Sequence, residues 1–133
     1  MTAGEIDLRV LLKEMHPVLN PGKYVFCIMD DSQGVDYSQI IASFKEKEGL
    51  TVVLAQSTAD AWGLSYSLVT SWITLTIHSS LEAVGLTAAV ATALTKADIS
   101  CNVIAAVYHD HVFVPVPDTD KAMQVLQQLS HSS

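Results

Sequence analysis

Positive charge is what this sequence has least of. Seven Lys and Arg face fourteen Asp and Glu in 133 residues, a formal net charge of −7. The few basic residues are scattered, whereas a nucleic-acid groove or a patch for an anionic membrane surface needs them clustered, so neither partner is expected. Long apolar runs are missing too. Ser, Thr, His or Gly interrupts each one well short of the roughly 20 residues that span a bilayer. Glu5, Asp7 and Glu14 sit among the first apolar residues, which is not the pattern of a secretory signal. The expected location is therefore the cytoplasm. Cysteine is scarce as well. Cys27 and Cys101 lie in apolar, strand-like surroundings; they read as small buried hydrophobes and not as a disulfide framework. The chain has no Gly-x-Ser-x-Gly elbow, no phosphate loop and no dinucleotide fingerprint. Neither catalysis nor a cofactor is expected from it.

What the chain has in quantity is apolar surface. Half its residues are hydrophobic and only 16% are charged, so it can bury a core and disorder is excluded as its main state. Thr2-Ala3-Gly4-Glu5 matches a capping box. Leu8, Leu11, Leu12 and Met15 follow at helical spacing, predicting a helix over 5–15 that Pro17 and Asn20-Pro21-Gly22 end. Residues 24–29 predict a buried strand. Residues 40–46 and 50–55 fit a hairpin, although Tyr37, Ile40, Ile41 and Phe44 also fit a helix face. Ser57 is positioned to cap a short helix that Gly63 closes.

The second half is cleaner. Ile73, Leu75 and Ile77 alternate with Trp72, Thr74, Thr76 and His78 as a half-buried strand. Leu86, Val90, Ala93, Leu94 and Ala97 form a helical stripe. Residues 99–107 predict a strand with Cys101, Val103, Ala105 and Val107 on one face. Tyr108-His109-Asp110 predicts a turn, 111–116 the returning strand, and Asp118 or Thr119 the cap of a last helix. The order β-α-β-β-α is a ferredoxin-like unit without its final strand. That leaves a sheet edge for a second copy to cover, so a homodimer or higher homo-oligomer is expected.

The stretch from His78 through Glu82 and Gly85 to Thr87, followed by Ile99-Ser100-Cys101-Asn102-Val103, resembles an ACT domain. Val84 and Asp98 depart from that family's usual Pro and Gly. Tyr24-Val25-Phe26, Glu48-Gly49-Leu50-Thr51, Thr74 to Leu81 and Tyr108-His109-Asp110-His111 together resemble a subgroup of small bacterial proteins with two ACT-like units. The resemblance implies an α+β fold of two tandem ferredoxin-like units, over 1–70 and 71–133, with antiparallel sheets and helices on one face. It also favours the hairpin over the helix at 40–55. Its functional implication is a regulatory module that binds a small molecule such as an amino acid.

The expected site is the turn from strand to helix formed by His78, Ser79, Ser80, Glu82, Val84, Gly85 and Leu86. Free N–H groups and the positive end of the helix dipole can hold a carboxylate there. Asn102 and Ile104, on the strand face opposite Cys101, are positioned to line such a pocket. His109 and His111 have metal-ligand chemistry, but a turn between strands spoils their common direction and the reading stays with a polar hairpin tip. Trp62, Tyr66 and Trp72 mark the junction of the two halves.

Overall fold

The computed structural model describes residues 3–30, 34, 36–76 and 85–131. In chain order its elements are α1 (Ala3–Glu14), β1 (His16–Leu19), β2 (Tyr24–Met29), β3 (Ile40–Glu46), β4 (Gly49–Ala55), α2 (Gln56–Ala61), β5 (Val69–Thr76), α3 (Leu86–Lys96), β6 (Asn102–Ala105), β7 (Asp110–Pro115) and α4 (Thr119–His131). Contacts divide the chain into an inserted unit, Gly22–Thr70, and a split unit, Met1–Pro21 with Ser71–Ser133. The leading helix and β1 thus group with the residues that follow Thr70.

In the inserted unit, β2 pairs antiparallel with β4 from Tyr24↔Ala55 to Met29↔Leu50, and β4 pairs antiparallel with β3. The side-chain period of two sends Val25, Cys27 and Met29 inward, where they pack with Val52, Leu54 and Ala59 of β4 and α2. The hairpin expected at 40–55 is present. Gly49, with φ at +149°, closes it; a Cβ there would meet Ile28 and the Met29 carbonyl at 3.1 Å. Val69 and Thr70, at the start of β5, pair with Val25 and Tyr24. The order β3-β4-β2-β5 is ferredoxin-like. In place of the first helix, the described part of the β2–β3 connection holds only the 3-10 turn Tyr37–Gln39.

Two local expectations shift in this unit. Ser57 does not cap α2: the helix starts at Gln56, its cap residue is Ala55, and no side chain bonds there. Gly63 does close it, in the left-handed region at φ +69°. The Tyr66 hydroxyl then fastens the following loop, accepting from Gln56 Nε2 and donating to Asp60. Burial pushes the Cys27 thiol pKa up, with the Asp60 charge adding to it, and burial does the same for Cys101. Both shifts run away from an activated thiolate.

The split unit buries the helical stripes as expected. Leu11, Leu12 and Met15 of the N-terminal segment, Leu86, Val90 and Leu94 of α3, and Ala122 and Leu126 of α4 share one core with Ile73, Leu75, Val112 and Val114 of the sheet. The helices therefore lie on one face. Asp98 follows α3 at φ +62°, a left-handed position that favours glycine and that Asp tolerates. The amide of Ile99 then bonds back to the Leu94 carbonyl at 3.0 Å. The strand expected at 99–107 is only Asn102–Ala105. Val107 does not join the inward face: it is 69% exposed at a hairpin tip closed by Ala106 N–H donating to the His109 carbonyl. The turn comes two residues earlier than expected, so Asp110 opens β7 instead of ending the turn.

The missing final strand is supplied from within the chain. Pro17 ends the helical region, but the residues around it form β1, which lies antiparallel along β5 from His16↔Thr76 to Leu19↔Ile73. The order β1-β5-β7-β6 completes the ferredoxin-like sheet. Proline is tolerated in β1 because the strand is an outer one and need not donate on its free side. Asn20 Nδ2 and Ser130 Oγ pin this segment, bonding Thr74 Oγ1 at 2.9 Å and the Met15 carbonyl at 2.9 Å. Met15 is fully buried where α1 turns into β1. Met15→Ala is expected to cost about 2–5 kcal/mol, read as a lower urea midpoint at unchanged slope. Asp98→Gly should instead raise stability, by up to about 1 kcal/mol.

Candidate functional site

The expected site begins where β5 leads toward α3. His78, Ser79, Ser80, Glu82 and Val84 lie outside the described residues. Gly85 is the cap residue of α3, at φ +93° and ψ −10°. A Cβ there would meet Leu8 Cδ2 at 3.2 Å. Glycine thus serves both the left-handed backbone and the close approach of α1. It brings no side-chain oxygen to the helix start, and the first turn of α3 has no acidic residue. The first helical bond runs from Ala89 N–H to the Gly85 carbonyl at 2.8 Å. The amides of Leu86, Thr87 and Ala88 therefore precede the intrahelical ladder, at the positive end of the dipole. Leu86 itself is a core residue, 3% exposed, so its contribution to a site is its backbone. Gly85→Ala is expected to destabilise the chain by about 1–3 kcal/mol, measured by urea unfolding.

Asn102 and Ile104 are placed differently. Asn102 stands opposite Phe113 and Ile104 opposite His111. Alternation puts all four on the sheet face away from the helices, while Leu86 packs on the helix side. They do lie opposite Cys101 in facing, as expected, but Gly85 and Leu86 belong to the other layer.

That outer face carries a polar network that sequence reading did not assemble. Trp72 Nε1 donates to His111 Nδ1 at 3.0 Å, and Trp72 stacks on Phe113 with ring centroids 6.1 Å apart. The indole can only donate, so Nδ1 is an acceptor and the neutral ring carries its proton on Nε2. Asn20 Nδ2 donates to Thr74 Oγ1, which lies 3.3 Å from the same Nδ1. The alternation of Trp72 and Thr74 with Ile73 and Leu75 was the available signal; the partner strand was not. Trp62 and Tyr66, grouped with Trp72 in the sequence, pack against the core of the inserted unit.

The His109-Asp110-His111 stretch is divided by the same alternation. His109 Nδ1 is buried without a partner. Asp110 is only 6% exposed, and burial raises its carboxyl pKa, partly countered by the His111 charge. Burial lowers the His111 pKa, with the His109 charge adding to the effect and Asp110 opposing it. Among the described residues no group of three His, Cys, Asp or Glu could hold a metal ion.

The lowered His111 value has a defined sign. The unfolded imidazole takes a proton near 6.5 and the native one only below that. Its contribution to stability is present above 6.5 and is lost as pH falls through the native value. Asp110 acts oppositely, relieving its cost as pH falls through its raised native value toward 3.8. Urea midpoints across the pH range just below 6.5 should fall for the native chain, and the fall should be shallower in His111→Gln.

Comparison with known proteins gives this architecture a family. Two ACT domain models match, one over residues 3–71 and another over 67–128. No curated protein matches. Among solved structures, a Vibrio cholerae protein of unknown function, described as a possible transport protein, is 48% identical with a TM-score of 0.82, covering 96% of this chain and 99% of its own. The ligand-free regulatory subunit of aspartate kinase from Thermus thermophilus is 7% identical with a TM-score of 0.61, covering 85% of this chain and 95% of its own. A structure of aspartokinase alpha and beta subunits is 10% identical with a TM-score of 0.60, covering 86% and 97%. At such identities the likeness to the two kinase structures is one of fold. With family models spanning both halves, the chain belongs to the ACT domain family.

Proposed function

We propose that this protein is a non-catalytic regulatory module that binds a small metabolite of the amino-acid class at the turn between β5 and α3. The observation that carries this is the start of α3: a glycine cap in the left-handed region, no acidic residue in the first turn, and three amides ahead of the helical ladder. Such an end is suited to a carboxylate without any Lys or Arg, which reconciles an anionic ligand group with a chain of net charge −7. His78, Ser79, Ser80, Glu82 and Val84 are assigned to the same turn, and Leu86 contributes through its backbone. ACT family membership supports a ligand-responsive role. We place the protein in the cytoplasm; none of the described helices is long and apolar enough to cross a membrane.

Oligomerisation is the second reading. β6 is the outer strand of its sheet and carries Asn102 and Ile104 on the face away from the helices. These two residues would line the site of a second copy that meets this edge. Light scattering with and without amino acids tests it, a strictly monomeric chain in both conditions excluding it.

A thermal-shift screen of the common amino acids tests the main reading. A ligand at about 100 times its dissociation constant should stabilise the fold by about 2.7 kcal/mol. Flat melting temperatures across the whole panel would defeat it.

A further inference from the structure

We propose that the sheet face of the inserted unit opposite α2 is an interface with a second copy of this chain, centred on Phe44 and Ile28 and bordered by the charged hairpin tip Lys45–Glu48. This goes beyond the proposed function: it needs no ligand and uses a surface other than the β6 edge. An antiparallel sheet with one face in water alternates apolar and polar residues. β2 and β4 do not. Residues 24–29 include no charged side chain, and Thr51 is the only polar residue in 50–54. Val25, Cys27, Met29, Val52 and Leu54 pack with Ala59 of α2 on the inner face. The pairing register sets two rows on the other face, Phe26-Val53-Ala42 and Ile28-Thr51-Phe44. Five of these six residues are apolar. The second row is open: Phe44 is 72% exposed and Ile28 56%. Two large apolar side chains left bare in one row mark an interaction surface.

The border of this row points to its occupant. Ile28 Cγ1 lies 3.1 Å from where a Cβ on Gly49 would sit, so the row runs into the hairpin tip. Lys45, Glu46, Lys47 and Glu48 are all exposed and alternate in sign. Glu46 accepts from the Thr51 hydroxyl. The four charges cancel, so the net −7 of the chain lies elsewhere. A partner of one sign would be repelled by half of the tip. A second copy would not. Laid against itself in reverse, Lys-Glu-Lys-Glu places opposite charges together at all four positions, which is the pairing that a two-fold axis produces. β3 is the outer strand of its sheet, but a register shift between Ile40 and Ala42 bulges it, and a bulge and a lysine both discourage strand addition at an edge. The copies therefore meet face to face, with Phe44 of one over Ile28 of the other.

The test is the mass of the whole chain by light scattering at micromolar concentrations, without ligand. The expected result is a dimer that Phe44→Glu and Ile28→Glu each weaken at least about tenfold, with circular dichroism and urea midpoint retained because both side chains are exposed. Ile104→Glu at β6 should leave this dimer intact. Two charge variants, Lys45→Glu with Lys47→Glu and Glu46→Lys with Glu48→Lys, should each self-associate poorly and should associate with one another when mixed. A native chain that stays monomeric overturns the proposal. So does a dimer that Phe44→Glu and Ile28→Glu leave intact; its loss in Ile104→Glu would place the second copy at β6 instead. If the mixed charge variants associate no better than either alone, the tip does not pair with itself and the assignment of a second copy falls.

Discussion

The pairing of His16–Leu19 with β5 is the contact on which the split unit depends. Without it, β5 would be left as an open edge and the helix α1 would have no anchored C-terminal end. Met15 sits fully buried at the joint, and Ser130 of α4 donates to its carbonyl. One short strand therefore ties the first helix, the last helix and the sheet together. A unit of this size buries too little surface alone to tolerate an open edge cheaply. The segment that precedes the inserted unit in sequence thus completes the unit that follows it.

That closure also positions the chemistry. With β1 in place, β5 is held between β1 and β7, and its side chains alternate between a packed side and an outer side. The packed side brings Asp110 and the start of α3 to one end of the layer formed with the helices. The outer side holds Trp72, Thr74, His111 and Phe113 in a network that leaves His111 neutral. The outer network sets the ring state of a histidine that neighbours the buried Asp110. The absence of lysine and arginine clusters is consistent with the proposed site, in which backbone amides would supply the anion contact.

Much of this was legible in the residues. The stripes of α1, α3 and α4, the strand at 24–29 and the hairpin at 40–55 follow from periodicity, because in each the buried set has one spacing. β1 was not legible. His16-Pro17-Val18-Leu19 is four residues with a proline, too short to show alternation, and its partner lies over fifty residues away in sequence. Val107 misled because alternation continued past the point where the hairpin turned, and only the partner strand fixes where a turn begins. Asp110 was hidden for the same reason. Between two histidines and beside a turn it looks like a solvated tip residue, and a shift of register by two places it at the start of a strand, facing the helices. Gly85 was legible as a flexible position, but the approach of Leu8 that makes it necessary is a tertiary contact.

The account turns on whether the start of α3 holds the ligand. The direct measurement is an amide-resolved NMR titration of the native chain with the common amino acids. The account predicts saturable shifts concentrated at the amides of Gly85, Leu86, Thr87 and Ala88. Saturable shifts centred elsewhere in the chain, with these amides unmoved, would contradict it.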